Sequence, residues 1–263
     1  MVRAGEIEHG RLIADRAEAV WNWSSPAGRQ RAARRGRLII EAAGLSAGDR
    51  VLELGCGTGL FSRQFAATGC RLTAIDVSPE LLAAASEKVT AGGATFMVAD
   101  AEDVPFGDGD FDAVIGSSVL HHLDIDRALA EIRRVLRPGG RMAFAEPNMM
   151  NPQIALQRSV PLFRRWAGES PEETAFFRRG LARKLRERGF GEVRIEPFDF
   201  LHPVTPRALI PVVRGIGEWL EHAPGIREIA GSLMISAVRV GGKRNRNDNA
   251  AHRVGDSAGS STA

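Results

Sequence analysis

VLELGCGTGLFS, residues 51–62, decides the fold. The apolar residues Val51, Leu52 and Leu54 flank Glu53 in a short run of the kind that forms a buried parallel strand. Leu60, Phe61 and Phe65 then recur at helical spacing. Between them stand Gly55, Gly57 and Gly59, with Cys56 inside the turn. Residues without a Cβ permit positive φ and let a ligand lie directly against the backbone where a helix begins. The stretch is therefore strand, tight turn and helix, with a ligand expected at the turn. Its G-x-G-x-G spacing departs from the dinucleotide fingerprint G-x-G-x-x-G, whose third glycine would fall at Leu60.

Downstream, residues 71–77 (RLTAIDV) make a second apolar strand ending in Asp76, 21 residues beyond Gly55. That spacing puts a carboxylate at the end of the neighbouring strand, where it can accept both hydroxyls of a ribose. Ser78 and Pro79 cap and start a helix carrying Leu81, Leu82 and Ala85. A third strand, residues 94–99, ends in Asp100, placed either to accept from an adenine amino group or to cap a helix. The fourth, residues 111–116, leads through Ser117 and Ser118 to His121 and His122. A helix on Ala128, Ile132, Val135 and Leu136 follows, and Arg137-Pro138-Gly139-Gly140 is expected to end it. The fifth strand, residues 141–145, ends in Glu146. Five strand–helix units, each closing on a polar or acidic residue, describe a doubly wound α/β sheet with its site along the carboxyl edge.

Residues 1–45 read as two helices around Trp21, Trp23 and the turn Ser24-Ser25-Pro26, followed by an arginine-rich stretch at 29–37. The plain reading is packed tryptophans and a solvated arginine face. The sharper one is a helical lid whose Arg34 or Arg35 meets a carboxylate. Residues 147–170, with Leu162, Phe163 and Trp166, read as a substrate-side insertion. A helix over 175–188 and a strand over 193–200 come next. Within a second insertion at 201–230, Thr205 and Pro206 start an amphipathic helix. Leu209, Val212, Val213, Ile216, Trp219 and Leu220 share one face opposite Arg207, Arg214, Glu218 and Glu221, and Pro211 should kink it. That face is expected to dock on the sheet, to join two copies as a homodimer, or to wall a hydrophobic substrate; its mixed charges favour these over a membrane surface. Residues 231–240 make the last strand, and 241–263 lack apolar periodicity, as a disordered tail does.

The chain has 263 residues, 44% of them hydrophobic, enough for one core with additions: a lid at 1–45 and a principal domain at 46–240. Its net charge is +3, but Lys243, Arg244, Arg246 and Arg253 against Asp248 and Asp256 leave the body at only +1. The pI of 9.4 is therefore no nucleic-acid footprint. Cys56 and Cys70 are the only cysteines, too few for a zinc cluster; no metal is expected, and reduced thiols suit a cytoplasmic protein. No 18-residue apolar run occurs, so no transmembrane segment is expected, and Glu6, Glu8 and Asp15 stand where a signal peptide needs an apolar core.

With Glu53, the glycine turn, Asp76, Asp100 and LRPGG at 136–140 in place, residues 45–240 resemble the class I S-adenosylmethionine-dependent methyltransferases. The resemblance implies a Rossmann-like, seven-stranded, mostly parallel sheet whose last strand is antiparallel beside the sixth. It also implies S-adenosylmethionine as cofactor. By it, Gly55, Gly57 and Gly59, with Cys56 among them, approach the methionine part, and Glu53 fixes the turn and its amino group. Asp76 would hold the ribose hydroxyls, Val77 would cover adenine, Asp100 and Ala101 would read its amino edge, and Ser117 would meet the methionine end.

Methyl transfer is an in-line displacement, so the protein must align a nucleophile and deprotonate it where it is a hydroxyl. His121 and His122 lie on the cofactor rim with a pKa range suited to a base, and Glu146 could orient one of them. The LHHL run with a strand-end acid is similar to sugar and natural-product O-methyltransferases, which implies catalytic roles for His121, His122 and Glu146. In the plainer reading one histidine packs and the other caps the next helix. A small-molecule oxygen acceptor is the leading expectation. Beside it stand an N- or C-methyltransferase of a lipid-like substrate, an idle S-adenosylmethionine-binding scaffold, and an NAD-dependent oxidoreductase, which Leu60 opposes.

Overall fold

Strand β1 (Arg50–Leu54) is buried along its last four residues and pairs in parallel with β2 (Arg71–Asp76) on one side and β4 (Phe111–Ser117) on the other. In this computed structural model, which describes residues 4–89, 93–159 and 176–241 (157–159 without side chains), that pairing is the centre of a seven-stranded sheet. Its order is β3-β2-β1-β4-β5-β7-β6, with β3 (Ala94–Val98), β5 (Leu136–Pro147), β6 (Phe190–Phe198) and β7 (Ser232–Arg239). β7 runs antiparallel to both its neighbours. The chain leaves β1 toward β2 and returns at β4 on the other side, so the connections diverge at the carboxyl end of β1 and open a crevice there.

Alternate residues of the central strands feed two cores. Leu52, Val114, Met142 and Phe144 meet Leu129 and Ile132 of helix α6 (Ile125–Val135) and Leu181 and Leu185 of α8 (Arg178–Glu187). Val51, Ala113, Ile115 and Ala143 meet α3 (Pro26–Ala43), α4 (Ser62–Ala66) and α5 (Pro79–Lys88) on the other face. The short helices α1 (Ala4–Ile13) and α2 (Ala17–Val20) precede them, and α7 (Pro152–Ser159) follows β5.

Three local expectations change. Helix α6 stops at Val135, and residues 137–140 lie inside β5, where pairing with β4 jumps from Leu136 to Arg141. Fully buried Leu136 anchors the strand, and Gly139, at φ 78°, absorbs the extra residues as an irregularity. In α9 (Ile210–Leu220), Pro211 occupies the first turn, where no N–H is needed, and starts the helix without the expected kink. The α9 face does not dock on the sheet. Ile210 is buried and Val213 partly buried against Ala27 and Leu201, while Val212, Ile216 and Trp219 are 59, 54 and 69% exposed.

Nor are the α3 arginines wholly a solvated face, although Arg29 and Arg37 are exposed. Arg31 pairs with Asp199 at 2.7 Å, Arg34 reaches both Glu221 oxygens at 2.7 and 2.5 Å, and Arg35 is buried. The first two pairs tie α3 to the segment after β6. The apolar residues Leu162, Phe163 and Trp166 and the tail at 242–263 lie outside the described residues. Among those described, no helix is long and apolar enough to cross a membrane. Phe144, fully buried on β5, tests this architecture. Phe144→Ala should cost about 3–5 kcal/mol, read as a lower urea midpoint at similar slope. A loss under about 1 kcal/mol would mean that this layer is not close-packed.

Candidate active site

The glycine turn leaves β1 with Gly55, Gly57 and Gly59 at φ 63°, 53° and 74°, so all three use the left-handed region that glycine alone enters freely. Gly57 also needs its bareness for space. A Cβ there would sit 3.1 Å from the Trp21 ring of the N-terminal segment, while its amide donates to Asp76 Oδ2 at 2.9 Å. The other Asp76 oxygen accepts from the Ser78 amide at 3.0 Å, and Ser78 caps α5 by accepting from Leu81. One carboxylate thus ties the β1 turn to the start of α5. Burial raises the Asp76 pKa against the opposing pull of the Ser78, Gly57 and Val77 amides. The Cys56 amide donates to the Ile75 carbonyl, and burial pushes its thiol well above its ordinary pKa, so it stays protonated.

Glu53, one residue before the end of β1, is 2% exposed, and its Oε2 has no hydrogen-bond partner. Burial pushes its pKa up to about 8; the Ser62 hydroxyl opposes the shift and the Asp76 charge adds to it. A buried carboxylate with an orphaned oxygen stands ready for a cation. At the end of β3, Asp100 Oδ1 accepts from the Glu102 amide at 2.9 Å, forming a turn beside buried Ala101. Val77 is partly buried at the end of β2.

The other half of the rim forms where β4 and β5 end. Glu146 has no exposed surface. Its Oε1 accepts the amides of Val119 and Leu120 at 3.0 and 2.9 Å, and its Oε2 lies 2.7 Å from His121 Nδ1. Burial alone would raise its pKa. The His121 hydrogen bond and charge, with both amides, outweigh that and hold it below the usual carboxylate value. His121 is buried, and its ring lies 4.1 Å from that of the more exposed His122. His122 Nδ1 is 3.3 Å from Glu6 Oε1 of α1. Asp124, not a histidine, caps α6, accepting from the amides of Asp126 and Arg127.

The structure therefore gathers the expected residues at one sheet edge in two groups, the glycine turn with Glu53 and Asp76, and Glu146 with the histidines. Ser117, at the end of β4, stands between them and accepts from Arg35 at 3.2 Å. Other partners carried no sequence signal. Ser118 and Ser232 also accept from Arg35, Thr58 donates to Glu18 of α2 at 3.1 Å, and Glu6 Oε1 lies 3.3 Å from His122 Nδ1. Each joins segments distant in the chain and shows no motif of its own.

The residues fit S-adenosylmethionine. Glu53 offers an orphaned buried oxygen for an ammonium, Asp76 is an anchored carboxylate at the second strand end, and the bare turn lies between them. Residues 52–144 match the family described as "Methyltransferase domain". An O-methyltransferase, cnsE, of Penicillium expansum is 30% identical over 80% of this chain and 78% of its own. A demethylmenaquinone methyltransferase of Thermobifida fusca is 32% identical over 69% and 84%. O-methyltransferase resE of Aspergillus sclerotiorum is 40% identical, but the match spans only 56% of that protein. Among solved structures, phosphoethanolamine N-methyltransferase 2 of Haemonchus contortus with S-adenosyl-L-methionine superposes at TM-score 0.62 with 19% identity, covering 88% of this chain and 60% of that one. The [4+2]-cyclase SpnF superposes at 0.62 with 21% identity, covering 90% and 96%. These two likenesses carry the fold alone; the sequence matches carry the family. The chain belongs to the class I S-adenosylmethionine-dependent methyltransferases.

Proposed function

We propose that this methyltransferase acts on an oxygen nucleophile of a small molecule, with His121 as general base and Glu146 as its orienting carboxylate. The observation that carries this is the 2.7 Å pair between His121 Nδ1 and fully buried Glu146. A ring whose Nδ1–H is committed to a carboxylate keeps Nε2 as its acceptor, and the carboxylate stabilises the imidazolium formed once a proton arrives. The names of the two fungal relatives, both O-methyltransferases, support an oxygen acceptor.

S-Adenosylmethionine, when bound, supplies an electrophilic methyl group and its own neutral leaving group. The chain's residues do the rest. Glu53 takes the ammonium on its free oxygen, and Gly55, Gly57 and Gly59, with Cys56 in the same turn, give the methionine part room. Asp76 accepts from the ribose, Val77 covers the adenine, and Asp100 with the Ala101 backbone reads its amino edge. Ser117 meets the methionine end, His122 lines the approach to His121, and His121 removes the acceptor's proton.

Residues 1–45 serve as the lid: Glu6 approaches His122, Glu18 holds Thr58, and Trp21 covers Gly57. Residues 147–156 and 201–230 wall the acceptor pocket, residues 160–170 of the first insertion lying outside the described residues, and the apolar content of both segments suits a partly hydrophobic molecule. Two buried free thiols suit a cytoplasmic setting, and the exposed α9 face is where a homodimer would form.

Calorimetry with S-adenosylmethionine comes first. Asp76→Ala should weaken binding about 10- to 150-fold, the loss of hydrogen bonds to a charged acceptor; unchanged affinity would show the cofactor to be misplaced. A screen of phenols and hydroxy acids for S-adenosylhomocysteine release should then find an acceptor. With it, His121→Asn should cut turnover about 10²- to 10⁴-fold while leaving cofactor affinity within about twofold. Undiminished turnover would remove His121 as base. Persistent inactivity despite tight cofactor binding would favour the scaffold reading.

Glu53 gives a separate pH signature. Its folded pKa of about 8 lies above its ordinary 4.5, so its contribution to stability is full below about pH 4.5 and fades as pH rises through about 8. Glu53→Gln should therefore gain on the wild type in urea midpoint between pH 5 and 8.5 in the ligand-free protein. Added S-adenosylmethionine should narrow that gain by pairing its ammonium with the ionised carboxylate. A gap independent of pH would place the charge of Glu53 in water.

A further inference from the structure

Helix α8 concentrates charge that the rim does not use. Residues 178–188 hold Arg178, Arg179, Arg183, Lys184, Arg186 and Arg188 against Glu187 alone, six cations less one acid or +5, whereas the chain up to Val240 holds +1 in all. Three of these cations are matched by the body: Arg178 reaches Glu228 at 2.6 Å, and Lys184 and Arg188 each reach Asp126 at 2.7 Å. The other three face outward. Arg179, Arg183 and Arg186, spaced i, i+4, i+7, stand opposite the buried Leu181 and Leu185. Arg183 is 79% exposed, its partner Glu187 is 3.9 Å away, and among the described residues no acid of another element pairs with the row. Like charges three and four residues apart on a helix repel. The first turn adds to the positive field, because it holds two arginines and no acid, and Phe177 before it provides no side-chain cap. An anionic partner would relieve both.

α8 starts on the histidine side of the rim. The Met149 amide, three residues beyond Glu146, donates to the Phe176 carbonyl at 3.2 Å, and Arg178 ties the first turn to the 201–230 segment through Glu228. Phe177 and Met150 are both exposed at this end, so an apolar head precedes the arginine row. Aromatic and arginine side chains together compose the centre of a protein interface. Neighbouring acids narrow the partner further. Glu187 flanks the row, and Glu192 and Glu196 are exposed on β6, the edge strand against which α8 packs. A phosphate backbone or an anionic bilayer spreads its charge beyond a row of about 10 Å and would meet those acids, whereas carboxylates spaced along one helix need not. Nor does β6 invite strand addition, being bulged between Gly191 and Arg194 with Glu192 at φ 47°.

We propose that the Arg179, Arg183 and Arg186 face of α8, headed by Phe177, docks an acidic helix of a partner protein beside the acceptor mouth. The docking rests on charge and shape; its place beside an acceptor mouth rests on the methyltransferase reading.

Fluorescence anisotropy on the full chain tests it with a labelled, alanine-rich helical peptide that carries glutamates at i, i+4 and i+7 and one leucine a turn from them. The controls are a scrambled peptide of the same composition, oligo-dT, and vesicles of phosphatidylcholine with phosphatidylglycerol. The patterned peptide should bind saturably, at least about fivefold tighter than the scrambled one, and weaken as salt rises. Arg179→Glu/Arg183→Glu/Arg186→Glu should weaken it at least about 10-fold and Phe177→Ala about threefold or more, each with unchanged affinity for S-adenosylhomocysteine. If the charge reversal does not fold, Arg179→Gln/Arg183→Gln/Arg186→Gln serves in its place. Equal binding of the two peptides, or indifference to these variants, makes the row a solvated face and overturns the inference. Stronger capture by oligo-dT or by the vesicles overturns it in favour of a phosphate surface. A wild type that fails to bind S-adenosylhomocysteine would instead sink the methyltransferase reading and leave the docking result standing.

Discussion

The histidine half of the rim hangs on one buried carboxylate. Glu146 faces no solvent, and its oxygens take two backbone amides of the β4–α6 connection and the ring of His121. Strand pairing fixes its place: β5 is locked between β4 and antiparallel β7, with Glu146 opposite Leu233. The connection that carries both histidines is therefore held by the sheet through a side chain. Removing those acceptors would strand two buried amides and a buried imidazole, each costing more to leave unpaired than its hydrogen bond contributes net.

The glycine-turn half uses the same device with the roles reversed. Asp76 ends β2 and reaches across to the Gly57 amide, so the second strand's acid holds the first strand's turn. Because β1 lies at the point where strand order reverses, the two halves open toward one crevice. The N-terminal helices reach both: Glu18 meets Thr58 on one side, and Glu6 approaches His122 on the other.

What the sequence reveals tracks how local the determining forces are. The glycine turn, the strand-end acids and the Ser78-Pro79 helix start are each decided within a few residues, and they stand where spacing predicts. Arg35 is different. In sequence it is one of several arginines, and only Ser117, Ser118 and Ser232, up to 197 residues away, make its position buried rather than solvated. The α9 face misled for a related reason. Periodicity identifies an apolar stripe but not its direction, and Gly217, where a Cβ would come within 3.1 Å of Phe200, lets the helix dock on a narrow strip and turn the stripe outward. The 137–140 run carries turn residues, yet buried Leu136 keeps its backbone on the β5 path and makes an irregularity of a turn.

The two buried glutamates of the rim show how one fold can hold like groups in different charge states. Both end strands, and both are fully desolvated, which alone would make each neutral. Glu146 escapes because three donors are built around it, and it stays ionised beside the His121 Nδ1. Glu53 has only the Ser62 hydroxyl working against its rise and keeps one oxygen empty, so its pKa drifts up to about 8. The difference lies in the backbone each one faces: Glu146 meets a connection whose first amides point back at the strand, whereas Glu53 meets a turn whose Gly57 amide is already committed to Asp76. Environments that push like groups apart in pKa assign them different work. Glu146 is a charge the protein completes by itself, and Glu53 is one that the protein leaves with an open oxygen.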